Sequence, residues 1–356
     1  MSEAPADLRP VLRKLVARAD LSEHEMSESL GAILDGAASE ASIASFLIAL
    51  AMKGETPDEI RAVVQAMRNH TTCITPKVDG SLIDTCGTGG DSIRTFNVST
   101  AAAIVAAAAG AKVAKHGNRS VSGICGSADF LEYVGLDLGA SPDRVQRCIE
   151  DVGIGFLFAP TFHPAMKNVA SARKTIGIRT VFNVAGPLSN PCTNISGQVI
   201  GVFEPFLMET LAQACQGRIS EAMIVHAADG FDELSNTCDN DILWLTGDHT
   251  KRLRVNPKVV GMHVARPEQL VINTKEDSVK STLQVICGAA SQEKEDIVVL
   301  NSAAALCVGK VAGDLKEGVE LARGAIKSGR ARKKLSRLIA SCGDSEKLEQ
   351  AEKKFL

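Results

Sequence analysis

A glycine-rich segment followed by the start of a helix is the strongest chemical signal in the sequence. Residues 84–91 read DTCGTGGD, and residues 97–100 read NVST at the start of an alanine-rich stretch. Because glycine adopts positive φ readily, successive N–H groups of such a loop can point at one anion, and the following helix N-terminus adds further amides. Asp91 places a hard oxygen ligand beside that anion. The pattern predicts a phosphorylated ligand with a bridging cation; the alternative is a tight turn in which Ser99 or Thr100 merely caps the helix.

A basic segment follows the next predicted strand. Residues 115–120 read KHGNRS, and residues 126–129 read GSAD. Lys115 and Arg119 beside a glycine suit a phosphate or diphosphate, because charge-assisted hydrogen bonds are roughly twice as strong as neutral ones. The helix that starts after residue 126 offers further amides to an anion. A solvated basic turn is the alternative, but both loops follow strand ends and are expected on the same edge of a sheet.

Two adjacent acids, Asp232 and Glu233, form the third signal. Gly230 precedes them, shortly after a predicted strand. Neighbouring side chains of a strand point to opposite faces, so these carboxylates converge on one ion only in a loop. Together with Asp91 they predict a Mg²⁺ site that uses few protein carboxylates and many water or phosphate oxygens. A surface pair without a ligand is the alternative.

Residues 163–177 are predicted to form a long helix. His163 and Arg173 are ten positions apart in it, close to three turns, so both are expected on one face. An arginine directed at a ligand would bind a carboxylate through its planar fork of N–H groups. The alternatives are an exposed helix arginine and a histidine that caps a turn.

The composition excludes several classes of protein. The chain has 356 residues, 45% of them apolar, which is enough for a large core. Its 39 basic and 42 acidic residues give a net charge of −3, and aromatic residues make up 4%. Neither a general attraction to nucleic acid nor a set of base-stacking platforms is therefore expected. The basic cluster at residues 327–337 is interpreted as a solvated helix face.

No membrane partner is expected, because the longest apolar runs are short and rich in alanine. The ten cysteines are scattered without a Cys-x-x-Cys pair, and the N-terminus shows no basic segment followed by an apolar core. We therefore expect a reduced, cytoplasmic protein.

Residues 1–75 show only helical patterns. Ser22 and Thr56 each begin a predicted helix with a glutamate three residues later, the capping-box pattern. The helix between them is apolar on most sides and needs a cover. A subdomain with surplus apolar surface often pairs with its own copy, so we expect a homodimer through the N-terminal helices.

After residue 80 the pattern becomes strand, glycine loop and helix, repeatedly. The predicted strands are 82–83, 112–114, 154–158, 198–203 and 223–226. This alternation predicts an α/β class: a small N-terminal helical subdomain plus a larger α/β domain with a mainly parallel central sheet, and a ligand cleft between them. The predicted helical subdomain is 1–75, joined by 163–190; the predicted α/β domain is 76–162 and 191–356.

These motifs, in this order, resemble the anthranilate phosphoribosyltransferase family from about residue 8 to about residue 345. The resemblance implies Mg²⁺-dependent transfer of phosphoribose from 5-phosphoribosyl 1-diphosphate (PRPP) to anthranilate, which gives N-(5-phosphoribosyl)anthranilate and diphosphate in L-tryptophan biosynthesis. The chain differs from many members at Ile124 and Cys125, where they have lysine and serine. Backbone amides would then bind the sugar phosphate.

The resemblance also implies which residues bind each ligand. PRPP would be bound by Gly87, Gly90, Asp91, Thr95, Asn97, Val98, Ser99, Thr100, Lys115, His116, Gly117, Asn118, Arg119, Ser120, Val121, Ser122, Gly123 and Ser127. Anthranilate would be bound by Gly87, Asn118 and Arg173, with Arg173 facing its carboxylate. Mg²⁺ would be bound by Ser99, Asp232 and Glu233.

The implied reaction passes through an oxocarbenium-like state, so its main requirement is to stabilise the departing diphosphate. Lys115 would do so together with Mg²⁺. Because the nitrogen of an aromatic amine is nucleophilic when neutral, no residue is assigned as a general base. Two other functions stay open: a nucleic-acid-binding protein of the same fold, which would need a strongly basic surface, and a nucleoside phosphorylase, whose glycine loop differs.

Overall fold

The computed structural model describes residues 6–89, 94–120 and 124–356. In chain order its α-helices are α1 (Arg9–Val16), α2 (Glu23–Leu34), α3 (Glu40–Lys53), α4 (Pro57–Asn69), α5 (Val98–Ala109), α6 (Ser127–Tyr133), α7 (Pro142–Val152), α8 (Ala159–Phe162), α9 (Lys167–Ile176), α10 (Val181–Ala185), α11 (Leu207–Cys215), α12 (Lys275–Ile286), α13 (Gln292–Val308), α14 (Leu315–Lys327), α15 (Arg330–Cys342) and α16 (Ser345–Phe355). Its strands are β1 (Leu82–Gly87), β2 (Lys112–Gly117), β3 (Ile154–Phe158), β4 (Ile195–Gly201), β5 (Glu221–Ala227), β6 (Asn240–Thr246) and β7 (His249–Val255).

The chain folds into two compact units. The smaller unit consists of Met1–Cys73 and Pro160–Pro191, and the larger one of Ile74–Ala159 and Cys192–Leu356. In the part of the chain that the structure describes, no helix combines the length and the apolar character that crossing a membrane requires.

The smaller unit is helical, and its helices start where their capping residues predict. The hydroxyls of Ser22 and Thr56 each accept a hydrogen bond from the N–H of a glutamate three residues later, which confirms both capping boxes. The core side of α3 is fully buried at Phe46 and Leu50. Its other side ends in Met52, which is 68% exposed.

The described part of the larger unit contains a seven-stranded sheet in the order β3-β2-β1-β4-β5-β6-β7. The first five strands in that order are parallel to one another. β6 is antiparallel to β5, and β7 is antiparallel to β6. The buried helices α5 and α13 belong to the main apolar core of this unit. The predicted class, a helical subdomain plus a larger α/β domain with a mainly parallel sheet, is confirmed.

The sequence pattern did not predict β6 and β7. A tight turn at Gly247 and Asp248 joins them, and β7 reads HTKRLRV with mostly exposed side chains. Such a charged edge strand lacks the apolar alternation by which strands are recognised. The prediction for β4 was also displaced, because the strand covers 195–201 rather than 198–203, and Ser196 and Gly197 near its start give no apolar signal.

The predicted helix of residues 163–177 was wrong at its beginning. Pro164–Met166 form a 3₁₀ turn, and the α-helix starts only at Lys167. His163 precedes both, so it does not share an α-helical face with Arg173. A proline right after the histidine ends any earlier helix, because residues before proline avoid the helical conformation.

Candidate active site

The acidic pair of the larger unit contacts both the glycine loop and the start of α5. The Asp232 carboxylate accepts a hydrogen bond of 2.7 Å from the N–H of Gly89. The Glu233 carboxylate accepts one of 2.9 Å from the N–H of Ser99. Gly89 has a φ of 74°, which glycine adopts without strain. Amides of two separate segments therefore point at negatively charged oxygens in one place.

The first turn of α5 is capped by another segment. Asn97 is the N-cap residue, but its side chain does not cap the helix; it donates to Ser278 at 3.1 Å and to Cys125 at 3.4 Å. Ser99 lies inside the first turn, and Glu233 accepts its N–H. The alternative that Ser99 or Thr100 serves as the N-cap is therefore wrong.

Two glycines allow the acidic loop to approach the sheet. A Cβ atom on Gly201, at the end of β4, would overlap the carbonyl oxygen of Asp232. A Cβ atom on Gly87, at the end of β1, would overlap the carboxylate of the same residue. The last residues of β1 and of β4, which are neighbouring parallel strands, are thus in contact with the acidic loop, the segment after β5 that contains Asp232 and Glu233.

A small pocket lies beside these contacts. Its polar lining includes Thr85, Ser99, Asp232, Glu233 and Asn301. Thr88 precedes Gly89 and Thr100 follows Ser99 in the sequence. The hydroxyls of both threonines are buried and have no hydrogen-bond partner within residues 6–89, 94–120 and 124–356. Buried polar atoms of this kind usually bind water or a ligand.

The end of β2 brings Lys115 next to β1. Lys115 is buried, and its ammonium donates a hydrogen bond of 2.5 Å to the carbonyl oxygen of Thr85. The N–H of His116 donates to the carboxylate of Asp84 at 3.1 Å. A Cβ atom on Gly117 would overlap the hydroxyl of Ser127, so this glycine is needed for close packing.

The loop after β2 is held by Asp129. Its carboxylate accepts hydrogen bonds from the N–H groups of Ser120 and Gly126, at 3.2 and 2.9 Å, and ion pairs with Arg119 and Lys275. Burial raises the pKa of Asp129, but these hydrogen bonds and charges outweigh it, so the pKa lies below its usual value.

The remaining predicted PRPP residues of the larger unit occupy several settings. Arg119 pairs with Glu132 at 2.7 Å and has its guanidinium 5.8 Å from the ring centre of Phe158. The carbonyl oxygen of Asn118 accepts from the Ser127 hydroxyl at 3.2 Å. Thr95 forms an isolated bridge with Val271, and the side chain of Val98 is buried in the core. Gly90, Asp91, Val121, Ser122 and Gly123 lie outside the described residues.

Arg173, predicted to bind anthranilate, belongs to the smaller unit. It lies near the end of α9, donates to the side-chain oxygen of Asn183 at 3.4 Å and lies over the ring of Phe182 at 5.6 Å. Burial lowers the pKa of its guanidinium, which remains charged at neutral pH. The side chain is thus half-buried and oriented by two neighbours from α10.

His163 has a structural setting in the same unit. Its ring is buried, and Nδ1 lies 2.8 Å from the hydroxyl of Thr71. Burial lowers the pKa of His163 to about 4, so the ring is neutral at pH 7. His163 is the N-cap residue of the 3₁₀ turn Pro164–Met166, but its side chain does not cap that turn, so the alternative of a histidine that caps a turn holds for its position only.

The donor set of the acidic pair fits Mg²⁺. Oxygen donors come from Asp232, Glu233 and the hydroxyl of Ser99, which are hard ligands. Among the described residues, no three His, Cys, Asp or Glu side chains are close enough to hold a metal ion alone. Mg²⁺ tolerates this, because it usually keeps several waters and shares substrate phosphate oxygens.

Some residues around the site were not predicted. Asn301 of α13 and Ser278 of α12 contact the predicted segments from positions far away in the sequence. For Asn301 a weak signal exists, because it interrupts an apolar run that starts at Ile297. Nothing in the local sequence distinguishes Ser278 from an ordinary helix serine.

Comparison with family models matches both parts of the chain. Residues 79–332 match the glycosyl transferase family, a/b domain. Residues 9–71 match the glycosyl transferase family, helical bundle domain.

Individual relatives cover nearly the whole chain. It is 46% identical to the anthranilate phosphoribosyltransferase of Acetivibrio thermocellus over 333 residues, 93% of this chain and 96% of the relative. The crystal structure of the Thermus thermophilus anthranilate phosphoribosyltransferase is similar with a TM-score of 0.87 and 38% identity, covering 93% of this chain and 98% of that one.

The Saccharomyces cerevisiae anthranilate phosphoribosyltransferase is also similar. Its structure in complex with PRPP and Mg has a TM-score of 0.84 and 27% identity, covering 93% of this chain and 96% of that one. Its complex with 4-fluoroanthranilate has a TM-score of 0.83 at 26% identity, with the same coverage.

Proposed function

The chain belongs to the anthranilate phosphoribosyltransferase family, and on that premise we propose that it transfers phosphoribose from PRPP to anthranilate in a Mg²⁺-dependent reaction. The products are N-(5-phosphoribosyl)anthranilate and diphosphate, and the pathway is the biosynthesis of L-tryptophan. The yeast relative has been solved with PRPP and Mg and with 4-fluoroanthranilate, which supports both substrates and the metal.

One observation supports the proposal most strongly. The carboxylates of Asp232 and Glu233 meet the amides of Gly89 and Ser99, although these partners lie more than 130 positions apart in the chain. A ligand with several phosphate oxygens and a divalent cation matches a site in which hard acidic oxygens lie against a glycine loop and a helix N-terminus.

Each group of the site has a role in the proposed reaction. Amides of the glycine loop and of α5 other than those of Gly89 and Ser99, which donate to the carboxylates, would bind phosphate oxygens. Lys115 would add a positive charge close to the departing diphosphate. Its hydrogen bond to Thr85 orients the ammonium and leaves further N–H groups for phosphate. Mg²⁺, when bound by the acidic pair and Ser99, would neutralise charge on the diphosphate.

The acceptor side needs binding more than it needs a base. The nitrogen of anthranilate is neutral and nucleophilic, so positioning contributes much of the rate. Arg173 would bind the carboxylate of anthranilate, together with contacts to Gly87 and Asn118. Its orientation by Asn183 and Phe182 reduces the rotamer freedom that binding must otherwise remove.

A fluorescence assay tests the proposal. Purified protein is mixed with anthranilate, PRPP and Mg²⁺, and the loss of anthranilate fluorescence is followed. Wild-type protein should consume anthranilate only when PRPP is present. No consumption across a range of Mg²⁺ concentrations would contradict the proposed function.

The acidic pair provides the matched variant for the metal. Asp232→Asn combined with Glu233→Gln keeps the hydrogen-bond acceptors for Gly89 and Ser99 but removes both charges. We expect the fold to persist by circular dichroism while turnover falls at least about 100-fold. Turnover equal to the wild type at every Mg²⁺ concentration would exclude the pair from metal binding.

We further propose a homodimer through the N-terminal helices and a cytoplasmic location. Val16 and Met52, on α1 and α3, are 77% and 68% exposed, which supports a covering partner. All ten cysteines are free thiols, which supports a reducing compartment.

A further inference from the structure

Two asparagine side chains hold the backbone directly after the acidic pair. Asn301 of α13 accepts a hydrogen bond of 3.0 Å from the N–H of Leu234 and donates one of 2.7 Å to its carbonyl oxygen. Asn240, the first residue of β6, forms the same two bonds with Ser235, at 2.7 and 2.8 Å. All four residues are buried. The chain leaving Glu233 is thus fixed by side chains of two other elements.

Of the two asparagines, Asn301 is the one that lies beside the acidic pair. It lines the same small pocket as Asp232 and Glu233. It also donates to the carbonyl oxygen of Ile297 at 2.8 Å, one turn earlier in α13, so the helix fixes the direction of the amide. Asn240 has its further contacts inside the β6–β7 hairpin and its entry loop.

We propose that Asn301 is a positioning residue for the acidic pair. Its Oδ1 and both of its N–H groups are used by Leu234 and Ile297, so it acts through the Leu234 peptide and not on a ligand. Because Leu234 follows Glu233 directly, the position of that peptide determines where the Glu233 carboxylate lies. This inference rests on the proposed function, in which the pair holds Mg²⁺ with diphosphate.

The buried setting makes the amide difficult to replace. Without it, the N–H and the carbonyl of Leu234 would lose their partners in a place that is fully buried. The loop would then shift or admit water, and both changes move the carboxylates. Mutation of a residue that orients a metal ligand typically changes the metal affinity by roughly 10- to 100-fold.

A direct measurement of metal affinity distinguishes a positioning role of Asn301 from a contribution to stability alone. The probe is Mn²⁺ with inorganic diphosphate, and electron paramagnetic resonance measures the bound ion on the complete chain. Asn301→Leu keeps a similar volume but removes the amide. Asn301→Ala leaves room for a water at Leu234 and serves if the first variant does not fold. Leu306→Ala, on the same helix and equally buried, is the control for destabilisation.

We expect both Asn301 variants to bind Mn²⁺ with diphosphate roughly 10- to 100-fold more weakly than the wild type. Their KM for anthranilate should change less than about twofold. Leu306→Ala should lower the Tm without changing Mn²⁺ affinity.

Three results would overturn the inference. Wild-type affinity in both Asn301 variants, or an equal loss in Leu306→Ala, would leave the proposed function standing and remove the positioning role. A wild-type protein that catalyses the transfer but does not bind Mn²⁺ with diphosphate would remove the metal role of the pair and the inference with it. Absence of transfer in the separate fluorescence assay identifies a failure of the proposed function itself.

Discussion

Carboxylates that accept hydrogen bonds from backbone amides define the site at the scale of single residues. Asp232 and Glu233 bind Gly89 and Ser99 in this way. Backbone amides have fixed directions, so these two hydrogen bonds orient the carboxylates. In the smaller unit, the guanidinium of Arg173 is oriented by a ring and an amide of α10. Both groups are therefore ordered before any ligand arrives, which lowers the entropic cost of binding.

Arg173→Ala tests the acceptor side. A charge-assisted hydrogen bond contributes about 1.5 to 3 kcal/mol, so we expect the KM for anthranilate to rise roughly 10- to 100-fold. The KM for PRPP should change much less. Lys174→Ala, the exposed neighbour on α9, is the control and should behave as wild type. Equal increases in both KM values would exclude Arg173 from the acceptor site.

The buried ring of His163 makes the free energy of unfolding depend on pH. Its pKa is about 4 in the folded protein and 6.5 when exposed. Between these values the unfolded chain binds a proton that the buried ring excludes, so the free energy of unfolding falls as the pH decreases from 6.5 to 4. The total loss is about 3 kcal/mol.

Urea unfolding at several pH values measures this effect. His163→Asn should be less sensitive to acid than the wild type by that amount, whereas His24→Asn, whose side chain is 88% exposed, should not. The same pH dependence in the wild type and in His163→Asn would show that the ring does not titrate as described.

Residue types were easier to predict than their partners. Asp232, Glu233 and Arg173 carry chemistry that their charge and their neighbours in sequence reveal. The contact between Asn301 and Leu234 was not predictable, because it joins positions 67 apart. A polar residue in the apolar run of α13 indicates a buried partner but not which one. Its hydrogen bonds exist only after α13 has packed.

At the scale of elements, the site is the place where three parallel strands end. β1, β4 and β5 are neighbours in the sheet, and the loop after β5 lies against the last residues of the other two. Gly87 and Gly201 make that approach sterically possible. The requirement at Gly201 is for absence of a side chain, since the nearest atom would be backbone rather than a flexible group.

Gly201→Ala tests the contact between the end of β4 and the loop after β5. Its methyl group would overlap the Asp232 carbonyl, so the loop or the strand must move, and we expect a loss of more than about 3 kcal/mol of stability. Gly324→Ala in α14 is the control: the site is exposed and open, and alanine should stabilise the helix by up to about 1 kcal/mol. Denaturant unfolding compares the two, and a Gly201→Ala protein as stable as the wild type would contradict the contact.

Elements with strong local signals were predicted, and elements without them were not. α7 begins after Ser141 with proline at its first position and ends at Gly153, as its sequence indicates. β7 escaped prediction because its charged residues are typical of loops as well as of edge strands. The start of α9 differs from the prediction because Pro164 follows His163 and begins a 3₁₀ turn ahead of the α-helix.

At the scale of the whole molecule, the candidate residues are divided between the two units. Those proposed to bind diphosphate and metal lie in the larger unit, and Arg173, proposed to bind anthranilate, lies in the smaller one. The change from helical periodicity to strands with glycine loops after residue 80 was enough to predict this fold class. Contacts made by a second copy have no such signature beyond exposed apolar side chains.

The proposed dimer is tested by light scattering after gel filtration. Wild type should have a mass of twice 37.5 kDa. Met52→Glu places a charge on the exposed end of α3 and should weaken the dimer by at least about tenfold. Phe206→Glu, equally exposed but in the larger unit, should not. A monomeric wild type would contradict the dimer.

The hydrogen bonds of the acidic pair also have a consequence for folding kinetics. Gly89 and Asp232 are 143 positions apart, and Ser99 and Glu233 are 134 apart. Such contacts close very long loops, so we expect them to form later than the local contacts of the helices. During refolding, Mn²⁺ binding with diphosphate should therefore return with the slowest phase, later than the helical signal in stopped-flow circular dichroism. Simultaneous recovery of both signals would show that the strands and the acidic loop assemble in one step.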